Sequence, residues 1–231
     1  MKYKLFLIDL DDTLLDFQAS EKLCFYKTFN QFGLDSRPLL EKIHEIYKIE
    51  NNKLWAQVEL GKIEKDFLKI ERFKRTLEYF ELTLSPYEVS EYYLAQLPLN
   101  IVLIDGALDL CQGLKKLGDV GIVTNGIKET QNARIHNSDL KNLIDFVVIS
   151  DECGYAKPDL RFFEYAMTKS NQAYDKDSIL MIGDRLEADI LGANHFNIDS
   201  LWFNPHEKKV QPPANPTYVV KTLNEILKML N

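Results

Sequence analysis

The sequence predicts an α/β protein, a mostly parallel sheet layered between helices and interrupted after its first strand by an all-helical insert. Three observations predict it. Short apolar runs at Lys4–Ile8, Val120–Val123, Phe146–Ile149, Ile179–Ile182 and Leu201–Phe203 lack alternation, as strands buried on both faces do. Segments of helical period separate the later runs at the spacing of right-handed βα crossovers. From Asp16 to Leu97 the pattern is helical, with no convincing strand.

The first run ends in Asp9-Leu10-Asp11-Asp12-Thr13, three carboxylates and a hydroxyl at the C-terminal edge of a buried strand. Clustered like charges raise one another's pKa unless a cation or ordered donors hold them. The rim beyond the strand carboxyl ends is also where open α/β sheets place their sites. An acidic helix N-cap is the plainer alternative for this stretch taken alone.

The insert reads as successive amphipathic helices. Leu23, Tyr26, Phe29 and Phe32 recur at intervals of three, and Gly33 can end that helix. Pro38 opens a second segment carrying Leu40, Ile43, Tyr47 and Leu54, with Gly61 as the next breaker. A third carries Ile63, Phe67, Ile70, Phe73 and Leu77. Ser85-Pro86-Tyr87-Glu88 has capping-box spacing with proline at the first helical position. The aromatics of these helices, Trp55 included, are expected to form the insert's own core.

From Ile101 strands and helices alternate. A helix with Leu108, Cys111, Leu114 and Leu117 on one face precedes Val120-Gly121-Ile122-Val123, which ends in Thr124-Asn125-Gly126. A helix begins near Glu129, and Asn137-Ser138-Asp139 makes its end ragged. The third strand runs into Ser150-Asp151-Glu152, and Lys157-Pro158-Asp159 opens a helix with Phe162, Phe163, Ala166 and Met167. The fourth closes on Gly183-Asp184, and its helix is expected to end near Gly192. Beyond the fifth lie a proline-rich loop, a short edge strand at Tyr218-Val219-Val220, and a last helix capped by Thr222 and Glu225.

Composition limits what such a fold does. With 45% hydrophobic and 27% charged residues, the chain of 231 residues reads as an ordinary soluble globule. No apolar run approaches a membrane span, and the N-terminus lacks the pattern of a signal peptide. Cys24, Cys111 and Cys153 are sparse and without ligand spacing, which suits a cytoplasmic setting. A formal charge of −7 argues against bulk nucleic acid as a partner, though not against a small anionic substrate in a cleft.

Four strands end in polar groups of complementary kind: Asp9 and Asp11; Thr124 and Asn125; Lys157 after the third; and Asp184, with Asp189 five residues on. Carboxylates without nearby His or Cys favour a hard cation such as Mg²⁺. A hydroxyl and backbone N–H groups after a buried strand suit phosphate oxygens. One lysine can neutralise a carboxylate and a phosphoryl group together. Neither a GxxxxGK[ST] loop nor a GxGxxG after the first strand is present.

Asp9-Leu10-Asp11-Asp12-Thr13, Thr124-Asn125-Gly126, Lys157-Pro158 and Gly183-Asp184…Asp189 together resemble the four signature motifs of the haloacid dehalogenase superfamily, in order and spacing. The resemblance implies a Rossmann-like three-layer α/β/α core over residues 1–16 and 98–231, and an inserted helical cap over 17–97. The stretches Ile122–Gly126, Val148–Pro158 and Gly183–Ala193 are similar to those of pyrimidine-preferring nucleoside 5'-monophosphatases. By that resemblance Asp9 is the nucleophile, Asp11 the general acid and base, and Lys157 the neutralising cation. Thr124 and the backbone around Asn125 and Gly126 hold phosphoryl oxygens. Asp9, the Asp11 carbonyl and Asp184 ligate Mg²⁺, and Asp189 supports them. Asp151 and Glu152 are candidates to frame the leaving group. Members that displace halide typically lack the aspartate matching Asp11, so its presence favours phosphatase over 2-haloacid dehalogenase. A sugar-phosphate phosphatase or phosphomutase keeps it and is the alternative; a catalytically silent scaffold is expected to have lost one of these residues. Arg185 stands where the family often has threonine, and the motif assigns it no purpose.

Overall fold

Leu5–Ile8 is a strand with all four side chains buried, and it occupies the centre of the sheet. The computed structural model describes residues 2–230. Its strands are β1 (Leu5–Ile8), β2 (Asp119–Thr124), β3 (Phe146–Ile149), β4 (Ile179–Gly183), β5 (Asp199–Phe203) and β6 (Tyr218–Val220). They form one six-stranded sheet in the order β3-β2-β1-β4-β5-β6, every neighbouring pair parallel. Ile8 aligns with Ile122 of β2 on one side and Ile182 of β4 on the other. Asp9, Thr124 and Asp184 therefore leave the sheet at a common edge, astride the point where strand order reverses.

By its contacts the chain divides into two compact units, Met1–Phe17 with Ile101–Asn231, and Gln18–Asn100. Connections to and from the second unit run side by side. The Asp16 N–H donates to the Val102 carbonyl at 2.9 Å, and the Ile104 N–H to that of Leu14 at 2.9 Å.

Helices α1 (Phe17–Gln31), α2 (Arg37–Glu59), α3 (Lys65–Tyr79) and α4 (Pro86–Gln96) account for the inserted stretch. Gly33 and Gly61 adopt φ of +81° and +65° just beyond α1 and α2, a region that disfavours a side chain. The Glu88 N–H donates to the Ser85 hydroxyl at 3.3 Å, capping α4. Phe25, Phe29, Tyr47, Phe73 and Tyr93 are wholly buried in one aromatic core, while Trp55 is only partly buried. The stripe of α1 differs from the interval of three in the sequence. Tyr26 and Phe29 are buried as expected, together with Cys24, Phe25 and Thr28, but Leu23 is exposed, because the 3.6-residue turn carries a strict three-residue spacing off the buried face.

The sheet is covered on both faces by helices from α5 (Ala107–Lys115), α6 (Lys128–Asn137), α7 (Ser150–Cys153), α8 (Leu160–Lys169), α9 (Leu191–Phe196) and α10 (Leu223–Leu230). Phe6, Ile8, Ile122 and Ile182 pack with Leu110 and Leu114 of α5 and Leu223 and Ile226 of α10. Leu5, Leu7, Val123 and Met181 point the other way, to Phe162 and Phe163 of α8 and Phe196 of α9. Each such side chain contributes about 1.5–3 kcal/mol on burial, which is why these strands show no polar alternation. The chain after β4 does not stop helically at Gly192. A wide turn at Leu186–Ile190 leads into α9, which continues to Phe196. Gly192 serves there as a point of close approach: a Cβ on it would sit 2.5 Å from the Phe163 ring.

Candidate active site

Asp9, at the end of β1, is buried with two polar neighbours. The Lys157 ammonium donates to its Oδ1 at 2.6 Å, and the Thr13 hydroxyl to its Oδ2 at 3.3 Å. Lys157 also donates to Asp189 Oδ1 at 2.7 Å and to the Val123 carbonyl at 2.7 Å, so its three hydrogens are all engaged. Burial opposes its charge, but Asp189 and Asp9 outweigh that and hold the ammonium pKa above its ordinary value. Asp189 accepts the Arg185 N–H through its other oxygen at 2.9 Å. Gly183 makes this arrangement possible, since a Cβ there would lie 2.3 Å from the Asp189 carboxylate.

Asp9, Asp184 and Asp189 each present an oxygen within 4.8 Å of the others. Burial drives Asp9 up to about 7 against the pull of Lys157. Burial, then the charges of Asp9 and Asp189, drives Asp184 up to about 9. Three carboxyls facing one lysine in a largely buried crevice cannot all ionise cheaply without a further positive charge. All-oxygen donors of this kind fit a hard divalent cation such as Mg²⁺. The Trp202 indole N–H donates to the Asp184 carbonyl at 2.8 Å, fixing the backbone from the β5 side.

On the other side of β1 the motif after β2 does several jobs. The Asn125 side chain exchanges hydrogen bonds with the Lys157 backbone, at 2.9 Å and 3.0 Å, and ties the two loops together. Thr124 Oγ accepts from the Gly126 N–H at 3.3 Å and from Gln131 Nε2 at 2.9 Å. With both lone pairs filled, the Thr124 hydroxyl has its own hydrogen to give. The Gly126 N–H is thus directed at Thr124, a task its sequence does not disclose.

Asp11 is held by two residues that the motifs do not reveal. Arg134 Nη1 pairs with Asp11 Oδ1, and Gln131 Nε2 donates to Asp11 Oδ2 at 2.7 Å. Both belong to α6, one turn apart. A signal did exist: Lys128–Asn137 is nearly devoid of apolar residues, unusual for a helix layered on a sheet, and Gln131 and Arg134 are nonetheless buried.

Other candidates fall elsewhere. Asp151 accepts the Lys128 N–H at 3.0 Å, where it caps α6, and Glu152 is exposed. Arg185 turns its guanidinium to Glu187 at 2.8 Å.

A family model described as haloacid dehalogenase-like hydrolase matches residues 3–197. YfnB of Bacillus subtilis, named as an HAD-hydrolase, is 34% identical over 230 residues, covering 100% of this chain and 96% of its own. A crystal structure of YfnB, bound to magnesium and revealing interdomain movement in that protein, matches with a TM-score of 0.89 at 33% identity over the full length of both chains. The pyrimidine 5'-nucleotidase PynA of Streptococcus pneumoniae is 34% identical over 232 residues, spanning 100% of this chain and 96% of PynA. YjjG of Escherichia coli, also named a pyrimidine 5'-nucleotidase, is 28% identical over 231 residues, 100% of this chain and 99% of YjjG.

Proposed function

Because the chain belongs to the haloacid dehalogenase-like hydrolases, we propose that it is a Mg²⁺-dependent phosphatase that works through an aspartyl-phosphate and prefers pyrimidine nucleoside 5'-monophosphates. The observation that carries the chemistry is the buried Asp9–Lys157 pair beside the clamped carboxyl of Asp11. In this reading an Asp9 oxygen attacks phosphorus while the bond to the leaving oxygen breaks, and Asp11 gives that oxygen a proton. Water then attacks the acyl-phosphate, Asp11 takes the water's proton, and the Asp9 carboxylate and inorganic phosphate are released. Lys157 offsets charge on Asp9 and on the transferring group. Thr124 donates to a phosphoryl oxygen. Held by Asp9, the Asp11 carbonyl and Asp184, Mg²⁺ would supply the remaining positive charge for the phosphate, with Asp189 as its support.

Substrate preference rests on the full-length similarity to PynA and YjjG. On this proposal residues 17–97 are the cap that reads the leaving group, and residues 1–16 with 98–231 are the catalytic core. An aromatic of the cap stacked on a pyrimidine would contribute about 1–3 kcal/mol. The protein would work on small phosphomonoesters in the cytoplasm; among the described residues no helix is long and apolar enough to cross a membrane. The test is a side-by-side kcat/KM comparison at saturating Mg²⁺ over pyrimidine and purine nucleoside monophosphates, hexose phosphates and a 2-haloacid. Pyrimidine nucleotides are expected to lead. A hexose phosphate ahead by tenfold would replace the substrate assignment, and halide release without phosphatase activity would replace the reaction.

A further inference from the structure

We infer that Arg134 and Gln131 are positioning residues that hold the Asp11 carboxyl in its working orientation and couple it to the phosphate-binding Thr124. The inference rests on the reading of Asp11 as the proton donor and acceptor. Arg134 is the more telling of the two. Its side chain is fully buried, and among the described residues its one carboxylate partner is Asp11. Nη1 also donates to Gln131 Oε1 at 2.9 Å, while Nε and Nη2 have no hydrogen-bond partner among the described residues. The guanidinium carbon stands 5.2 Å from the centre of the Phe17 ring.

Stability gives little reason for such a group. Burying a guanidinium costs several kcal/mol before pairing, and apolar replacements of buried ion pairs are often neutral or stabilising. A strut tying α6 to the loop after β1 could as well have bonded to that loop's backbone. Instead the bonds go to the two carboxyl oxygens, one from each residue. Arginine can only donate, so Gln131 must turn its oxygen to Arg134 and its amide nitrogen to Asp11 and Thr124. Gln131 Nε2 thereby touches Asp11 Oδ2 at 2.7 Å and Thr124 Oγ at 2.9 Å at once. The Asp11 side chain stays 30% exposed on its remaining side. A proton donor must lie within about 2.6–3.2 Å of its target, and a misplacement of about 1 Å can cost about 10²-fold.

The experiment measures leaving-group release in the first turnover for Arg134→Ala and Gln131→Leu, with a nucleoside monophosphate and with p-nitrophenyl phosphate. Nitrophenolate departs without a proton, so loss of positioning should spare it. Expected is a fall of about 10–100-fold on the nucleotide, under about fivefold on the nitrophenyl ester, with KM moved less than about threefold. Added guanidinium should restore part of the rate of Arg134→Ala. Equal losses on both esters, or a change confined to KM, would overturn the proposal. Gln131→Leu keeps the volume and decides the matter if Arg134→Ala fails to fold. Asp11→Asn run in parallel separates the acid–base role of Asp11 from its positioning by Arg134 and Gln131. Should Asp11→Asn show no leaving-group dependence, the acid–base reading falls and this proposal with it. Where Asp11→Asn shows it and Gln131→Leu does not, the positioning role alone falls. Combining Asp11→Asn with Gln131→Leu should cost no more than Asp11→Asn alone; additive losses would count against the coupling.

Discussion

Lys157 shows most sharply how one side chain can organise a site. Its ammonium is the contact shared by Asp9 after β1, the Val123 carbonyl of β2 and Asp189 in the turn beyond β4. Lys157→Met keeps the length of the stem and removes the charge. It leaves two buried carboxylates uncompensated, and breaking a buried pair by removing one partner costs about 3–5 kcal/mol. The expected outcome is lost turnover together with a clear fall in the urea midpoint of the metal-free protein, partly recovered by Mg²⁺. Asp9→Asn should behave oppositely on stability. It removes a carboxylate that burial has driven up to about 7, so turnover and trapping of a beryllium fluoride phosphate mimic should vanish while the midpoint holds or rises. An active Asp9→Asn enzyme would point to direct attack by water.

At the scale of elements, what was legible in the sequence is what the sheet forces on it. Strands buried on both faces must be apolar throughout, so β1 to β5 announce themselves, and their polar ends locate the edge that bears the site. Helix boundaries marked by Gly33, Gly61 and Ser85 were equally readable. Less legible were features made by tertiary contact. The exposed side of α1 could not be told from its buried side by a three-residue interval. The close approach of Gly192, inside α9, to Phe163 far off in sequence could not be read either, and Gln131 and Arg134 look like surface residues of a polar helix until α6 is seated on the sheet. Gly183 is a related case, since only the structure shows that its missing side chain is the space filled by Asp189. Gly183→Ala should therefore displace the Asp189 carboxylate and misalign Lys157. The expected result is a loss of kcat of about 10²-fold with the fold intact by circular dichroism. Near-normal kcat in that variant would mean that Asp189 can shift without consequence.

For the whole molecule, the decisive fact is that the first strand lies at the centre of the sheet. Asp9 and Asp184, far apart in the sequence, meet only once β1 and β4 have paired. Folding thus brings together carboxyls that the unfolded chain keeps dispersed, and stability becomes linked to pH and, on the proposed function, to metal. Asp184 is driven up to about 9 in the folded protein, chiefly by burial, and ionises near 3.8 when unfolded. Between those values the folded state holds a proton that the unfolded state has released. The metal-free protein should accordingly be most stable, as far as this group is concerned, below about pH 4, and lose that contribution as pH climbs through about 9. Mg²⁺ must displace the same proton, so its affinity should rise with pH across this window and its binding should release protons. At a concentration one hundred times its Kd the ion stabilises by about 2.7 kcal/mol. Thermal unfolding from pH 6 to 9, with Mg²⁺ and with EDTA, should show two curves that diverge as pH rises. In Asp184→Asn the EDTA curve should flatten and the Mg²⁺ increment should shrink, because both the proton and the ligand have been removed. Parallel curves in the parent protein, or a Mg²⁺ increment undiminished in Asp184→Asn, would place the ion somewhere other than between Asp9 and Asp184.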